Sequence, residues 1–240
     1  MSRVLKMIAI LFFVIVLWIT GGILMNRDKK PLHEQIAEYM FNAYAVPKLE
    51  YCVEKYGDEF ILTDTGGVIS TRFPGLQVYL RWSEQEKTYQ DYYIVYIRQA
   101  ELEEILGTAI ADIFSQYKSY VLPNHLCPND FDKNTTSVEL LKSSDVSTFP
   151  LVQLWIYTDD DPSGRDIELE MLQKTIQELG YFLYVNVRYV SPENLAKIND
   201  ENFCGDEALK EEFYRCIGSF YVSPDSFKWS ITEGWKEGLG

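Results

Sequence analysis

The sequence predicts an α+β protein: an N-terminal transmembrane helix followed by antiparallel or mixed sheets with covering helices. Three observations carry this expectation. Met7–Met25 is a run of 19 residues without a charge. Leu76–Trp82 and Tyr181–Val190 alternate side chains at the strand period of two. Leu102, Ile105, Leu106, Ala109, Ile110, Ile113, Phe114 and Tyr117 recur every three or four residues, the spacing of one helix face.

At about 1.5 Å per residue, Met7–Met25 reaches roughly 28 Å as a helix, about one bilayer hydrocarbon core. Residues 1–30 therefore read as a membrane anchor, with the lipid bilayer as partner through residues 7–25. Arg3 and Lys6 precede the run, and Arg27, Lys29 and Lys30 follow it. Counting cations alone leans slightly toward a cytoplasmic C-terminal side. A short basic leader, a long apolar run and a large trailing domain read instead as a secretory start. Small residues at Thr20-Gly21-Gly22 offer a cleavage point, but the apolar run continues through Met25 and no A-x-A stands there. The expectation is an uncleaved signal anchor with the C-terminal domain extracytoplasmic.

Of 22 Lys and Arg, five lie in residues 1–30; of 36 acids, one does. Residues 31–240 thus carry 17 basic and 35 acidic groups, a net charge of −18. Such a body repels nucleic-acid phosphates and anionic headgroups. Apolar residues at 47% exclude a disordered chain. The four cysteines, 52, 127, 204 and 216, include no C-x-x-C zinc spacing.

In chain order, Pro31–Ala45 reads as a helix leaving the membrane, and a second short helix ends at Tyr56 with Gly57 as its terminator. Glu59–Asp64, Leu76–Trp82 and Tyr89–Arg98 read as a three-stranded meander covered by the helix of residues 102–117. Together these make an α+β lobe, residues 31–122. The Pro- and Asn-rich stretch 123–149 reads as a linker or long loop. Residues 150–240 form a second α+β lobe. It begins with a strand in Phe149–Thr158, a helix from Arg165 to Leu179 and a strand at Tyr181–Val190, a βαβ unit unless another strand intervenes. Ser191-Pro192-Glu193 opens another helix, with Ser191 as cap. A helix at Asp206–Cys216 and a hairpin across Ser223–Ser226 close the chain.

Lys55-Tyr56-Gly57-Asp58-Glu59-Phe60, a helix stop followed by a strand start, resembles, together with the anchor, uncharacterised single-span membrane-anchored proteins of Gram-positive anaerobic bacteria. The similarity covers roughly residues 1–120. It implies an anchored extracytoplasmic α+β domain and no activity, so no functional residue is carried over.

Asp159, Asp161, Ser163 and Glu170 stand at positions 1, 3, 5 and 12 of a loop with Gly164 at position 6, the spacing of a calcium loop. Pro162 and Asp166 depart from that pattern, and the same residues also read as a strand-to-helix turn with Ser163 as cap. Calcium is the one cofactor this suggests. His125 and Cys127 make a nucleophile pair on paper; a loop His beside a structural Cys is the simpler account. Tyr89, Tyr92, Tyr93 and Tyr96 offer an aromatic surface for sugars or peptides, or half of a core. No hydrolase, phosphate-loop or dinucleotide motif is present. The sequence thus points to a non-catalytic, membrane-anchored binding or interaction protein whose partner is a protein or cell-wall ligand. The alternatives are an extracytoplasmic hydrolase using paired acids and a cytoplasmic membrane-tethered regulator.

Overall fold

The computed structural model describes residues 31–145, 147–230 and 234–240. The expected anchor, Met7–Met25, lies outside the described residues. Among the described residues, no helix is long and apolar enough to cross a membrane.

The described residues fall into two units divided between Pro47 and Lys48. The described part of the first is α1 (Leu32–Tyr44), entered from Pro31, which has no N–H to leave unpaired there. At the boundary α2 (Val46–Tyr56) begins. It ends at Gly57, whose φ of +107° suits a residue without a Cβ.

In the second unit a three-stranded antiparallel meander comes first: β1 (Phe60–Leu62), β2 (Val68–Ser70) and β3 (Gln77–Val78). The meander is present, but with different strands. Leu76–Trp82 breaks in two, because its end pairs elsewhere: β4 (Arg81–Ser83) forms a separate hairpin with β5 (Thr88–Gln90). Tyr89–Arg98 is not a strand. Beyond β5 the chain enters α3 (Tyr93–Ile110), since Asp91 accepts the Tyr93 N–H at 2.6 Å and starts a helix there. The first turn of α3 buries Tyr93, Ile94 and Val95 together, a run that mimics a strand in sequence.

Next come β6 (Tyr117–Pro123), α4 (Ser137–Leu141), β7 (Val152–Thr158), α5 (Arg165–Glu178) and β8 (Leu183–Val190). They are followed by α6 (Pro192–Lys197), β9 (Tyr214–Ser223), β10 (Ser226–Trp229) and β11 (Lys236–Glu237). The six-stranded sheet runs β10-β9-β8-β7-β6, with β11 on β9. The β7–β8 pair is parallel and its neighbours antiparallel, so β7-α5-β8 is the expected βαβ unit. Ser191 caps α6 as its sequence predicts, accepting from the Asn194 N–H. In the closing hairpin Val222 faces Phe227 and Phe220 faces Trp229.

Two expectations give way. Residues 123–149 are not a spacer between lobes: Cys127, Phe131, Leu140 and Leu141 are buried in one core shared by both halves. A capping box, Thr136 with Glu139, starts α4 within that stretch. Nor is Asp206–Cys216 a helix. Apart from a 3₁₀ turn at Glu211–Phe213, it leads into β9, whose period-two burial starts at Tyr214.

The sheet has two unlike faces. Leu154, Ile156, Val185, Val187 and Phe220 point into the main core with Leu102, Leu106 and Ile110 of α3 and Leu172 and Ile176 of α5. On the interior strand β9 the Trp235 ring lies against Gly218, where a Cβ would stand 2.4 Å from a ring carbon. Gly218→Ala is therefore expected to lower stability by about 1–3 kcal/mol, the range for overpacking. Chemical denaturation checks it; an unchanged midpoint would contradict the ring's placement.

Candidate functional site: an aromatic groove beside the sheet

A buried charge cluster sets the position of α3. The Asp91 carboxylate is fully buried. Its Oδ2 accepts from Tyr51 Oη at 2.7 Å and Lys55 Nζ at 3.0 Å; its Oδ1 accepts from Tyr56 Oη at 2.8 Å and Tyr93 N at 2.6 Å. Lys55 Nζ also donates to Tyr51 Oη at 2.7 Å. Four donors saturate the carboxylate, which is what a charge needs to remain inside a protein. Three of the four come from α2, so the cluster clamps α2 to the start of α3. The Asp91 carbonyl accepts from Cys127 N, joining the 123–149 segment to the same point.

The surroundings hold protons firmly. Burial, then Asp91, raises the pKa values of Tyr51 and Tyr56 above the ordinary tyrosine range. Burial first and Asp91 second push the Cys52 thiol up to about 12 and raise Cys127 as well. Cys127 thus has the opposite of a nucleophile's environment. His125 stacks on Phe149 with ring centroids 5.0 Å apart. All four cysteines are unpaired; Cys204 alone is exposed.

With α3 fixed, one of its sides borders a groove of about 470 Å³. Phe73 and Tyr96 line it with Tyr120 of β6 and Phe203, and Arg72, Glu103 and Asp200 also face it. Tyr120 and Phe203 stack at 4.3 Å with planes 10° apart. Phe73 and Tyr96 make a looser pair at 6.5 Å. Glu103 Oε1 accepts from Gln99 Nε2 and Val121 N, tying α3 to β6. The Tyr96 hydroxyl is pushed up to about 12 by burial, then by Tyr92 and Cys204. Aromatic side chains with two carboxylates and a guanidinium in one lining suit an uncharged ligand that stacks and offers hydroxyl or amide groups.

Sequence reasoning marked Tyr89, Tyr92, Tyr93 and Tyr96 as one aromatic surface. The structure separates them. Tyr93 is core, Tyr89 packs edge-on against Trp82, Tyr92 stacks with Tyr79, and Tyr96 alone lines this groove. Phe73, Tyr120 and Phe203 were missed, being far apart in sequence and without a local motif.

The calcium-loop residues have other tasks. Asp161 accepts from Ser163 N and starts a 3₁₀ turn ahead of α5. The Asp159 carbonyl accepts from Arg215. Glu170 is exposed on α5. Glu168, not Glu170, is the helix acid that feels this loop: burial, then Asp160 and Asp161, raises its pKa against the lowering effect of its Tyr189 hydrogen bond. Among the described residues no group of three His, Cys, Asp or Glu is placed to hold a metal.

Two outcomes are expected. Asp91→Ala leaves Lys55 buried without its partner and should cost about 3–5 kcal/mol in denaturant titration. In the folded protein Cys204 should react with a maleimide, while Cys52 and Cys127 react only on unfolding; mass spectrometry after a short pulse reads the difference.

No family model matches the chain, and no curated protein matches it. Among solved structures the chain is similar to a DUF5037 family protein from Ruminococcus gnavus ATCC 29149, at 16% identity and a TM-score of 0.41. The match covers 81% of this chain and 95% of that one.

Proposed function

We propose that this is a membrane-anchored binding protein that displays its α+β domain outside the cytoplasm and captures a ligand in the groove between α3 and the sheet. The observation that carries the reading is the groove itself, lined by Phe73, Tyr96, Tyr120 and Phe203 with Arg72, Glu103 and Asp200, in a chain without a catalytic motif. The uncharged run Met7–Met25 supplies the anchor. The net charge of −18 on residues 31–240 favours a neutral ligand over an anionic polymer. A neutral wall glycan meets both conditions, its sugar faces stacking on the rings and its hydroxyls donating to Glu103 and Asp200.

A second reading keeps the domain in the cytoplasm as a tethered regulator. Two observations favour it: four unpaired cysteines, and the slight excess of cations after the apolar run. Glu103 and Asp200 in one groove are the feature a hydrolase would use, though Glu103 is already engaged by Gln99 and Val121.

Protease added to intact, wall-stripped cells is expected to digest the domain without lysis; protection until lysis would select the cytoplasmic reading. The full chain in nanodiscs is expected to bind a chitooligosaccharide, a neutral glycan probe, without cleaving it. Tyr96→Ala should weaken that binding about tenfold, the loss of one aromatic stack. Equal binding by the variant would rule out the groove.

A further inference from the structure

The second face of the six-stranded sheet holds positive charge that no carboxylate among the described residues pairs with. Three rows cross this face. The middle row is Tyr120, Trp155, Asn186 and Ser219, each opposite the next in register. The row at one end is Lys118, Tyr157, Arg188 and Ile217. At the other end stand Leu122, Gln153, Tyr184 and Tyr221. Ala208 and Phe213 pack at the Arg188 end, and the Phe203 ring packs on Tyr120 and Trp155 of the middle row. Tyr184 and Tyr221 at the other end are half-exposed.

Arg188 is 5% exposed. Its guanidinium carbon lies 4.9 Å from the Trp155 ring centroid, 5.5 Å from Tyr214 and 5.8 Å from Tyr157. One of its nitrogens donates to the Ala208 carbonyl. Among the described residues no carboxylate pairs with it, and its Nε has no partner. In the same row Lys118 Nζ donates to the Ile198 carbonyl, again without a described carboxylate.

Two more buried donors nearby are unpartnered: Asn186 Nδ2 and Trp155 Nε1. Asn186 is itself 5% exposed. The Ser219 hydroxyl donates to Asn186 Oδ1 at 2.6 Å, which fixes the amide and leaves its NH₂ group over. Trp155 and Asn186 sit opposite on adjacent strands, with backbones about 4.8 Å apart, and the Arg188 backbone is two residues along β8, about 6.6 Å from Asn186. Three neighbouring side chains on one face thus each carry an unpartnered donor.

We propose that this patch is an oxyanion site, in which Arg188, Asn186 and Trp155 take the carboxylate or phosphate group of a small ligand entering from the Tyr184–Tyr221 side. The chemistry is one-sided. Every unpartnered atom of the patch is a donor, so the missing group is an acceptor. A water satisfies a hydrogen bond but leaves the cation uncompensated; an anion satisfies both. Arginine cannot escape by losing its proton. Aromatic faces offset part of the charge, about 0.5–2 kcal/mol each, and supply no acceptor for an N–H in the ring plane. The site adjoins the groove, with Tyr120 and Phe203 between them, but its three donors do not line the groove.

The test uses the full chain in detergent, with its unfolding temperature followed as sodium phosphate or sodium acetate is added against sodium chloride at matched ionic strength. A saturable rise in Tm with either oxyanion is expected. Phosphate alone identifies a phosphate ligand and acetate alone a carboxylate ligand. Arg188→Met should abolish the rise while keeping or raising the basal Tm, because the buried cation is gone. Trp155→Phe keeps the ring and removes only the N–H, so about tenfold more anion should be needed. If Arg188→Met does not fold, Trp155→Phe and Asn186→Ala carry the comparison. No rise beyond chloride, or an equal rise in the variants, would overturn the site and leave Arg188 as a caged structural cation.

Discussion

The carboxylate of Asp91 is the constraint on which the domain depends. A fully buried negative charge is tolerable only if its oxygens are saturated, and saturating them draws in α2, the start of α3 and the 123–149 segment. Once α3 begins at Tyr93, its helical period decides which side chains face the core and which face the groove. Tyr93 goes inward, and Tyr96 and Glu103 look outward beside β6. The groove's geometry therefore rests on an ionic contact on a different part of α3.

The large sheet divides its work between faces. One side is aliphatic and closed by α3 and α5. The other carries Trp155, Asn186, Arg188 and Tyr184, residue types rarely gathered on a surface meant only for packing. Strand alternation makes the division unavoidable: along β8, Leu183, Val185 and Val187 serve the core, and Tyr184, Asn186 and Arg188 serve the opposite side. Burial on both sides lets β8 remain an interior strand beside the parallel β7.

Where one physical signal dominated, the sequence was legible. The β7-α5-β8 unit, the Ser191 cap and the closing hairpin all combine clear periodicity with clear punctuation. Legibility failed where propensity and tertiary context disagreed. Tyr-Tyr-Ile-Val-Tyr-Ile, residues 92–97, favours a strand by composition, yet the long-range clamp on Asp91 makes it a helix. Leu209, Phe213 and Cys216 keep a helical spacing by coincidence, while the alternation of β9 runs through the end of the same stretch. The box Thr136–Glu139 was readable and marks the helix inside the supposed linker. Of the groove, only Tyr96 was visible beforehand. Phe73, Tyr120 and Phe203 come together through folding, and no spacing in a single chain announces such a meeting.

The strand order of the sheet bears on how the chain is made. Reading β6-β7-β8-β9-β10 across the sheet is also reading it along the polypeptide, so each of these strands after β6 pairs with the one synthesised just before it, while β11 turns back to β9. Such an order lets the sheet grow from one border as residues emerge. Every newly formed border is hidden by the next strand, so no interior strand waits long with its backbone groups open to a neighbouring chain.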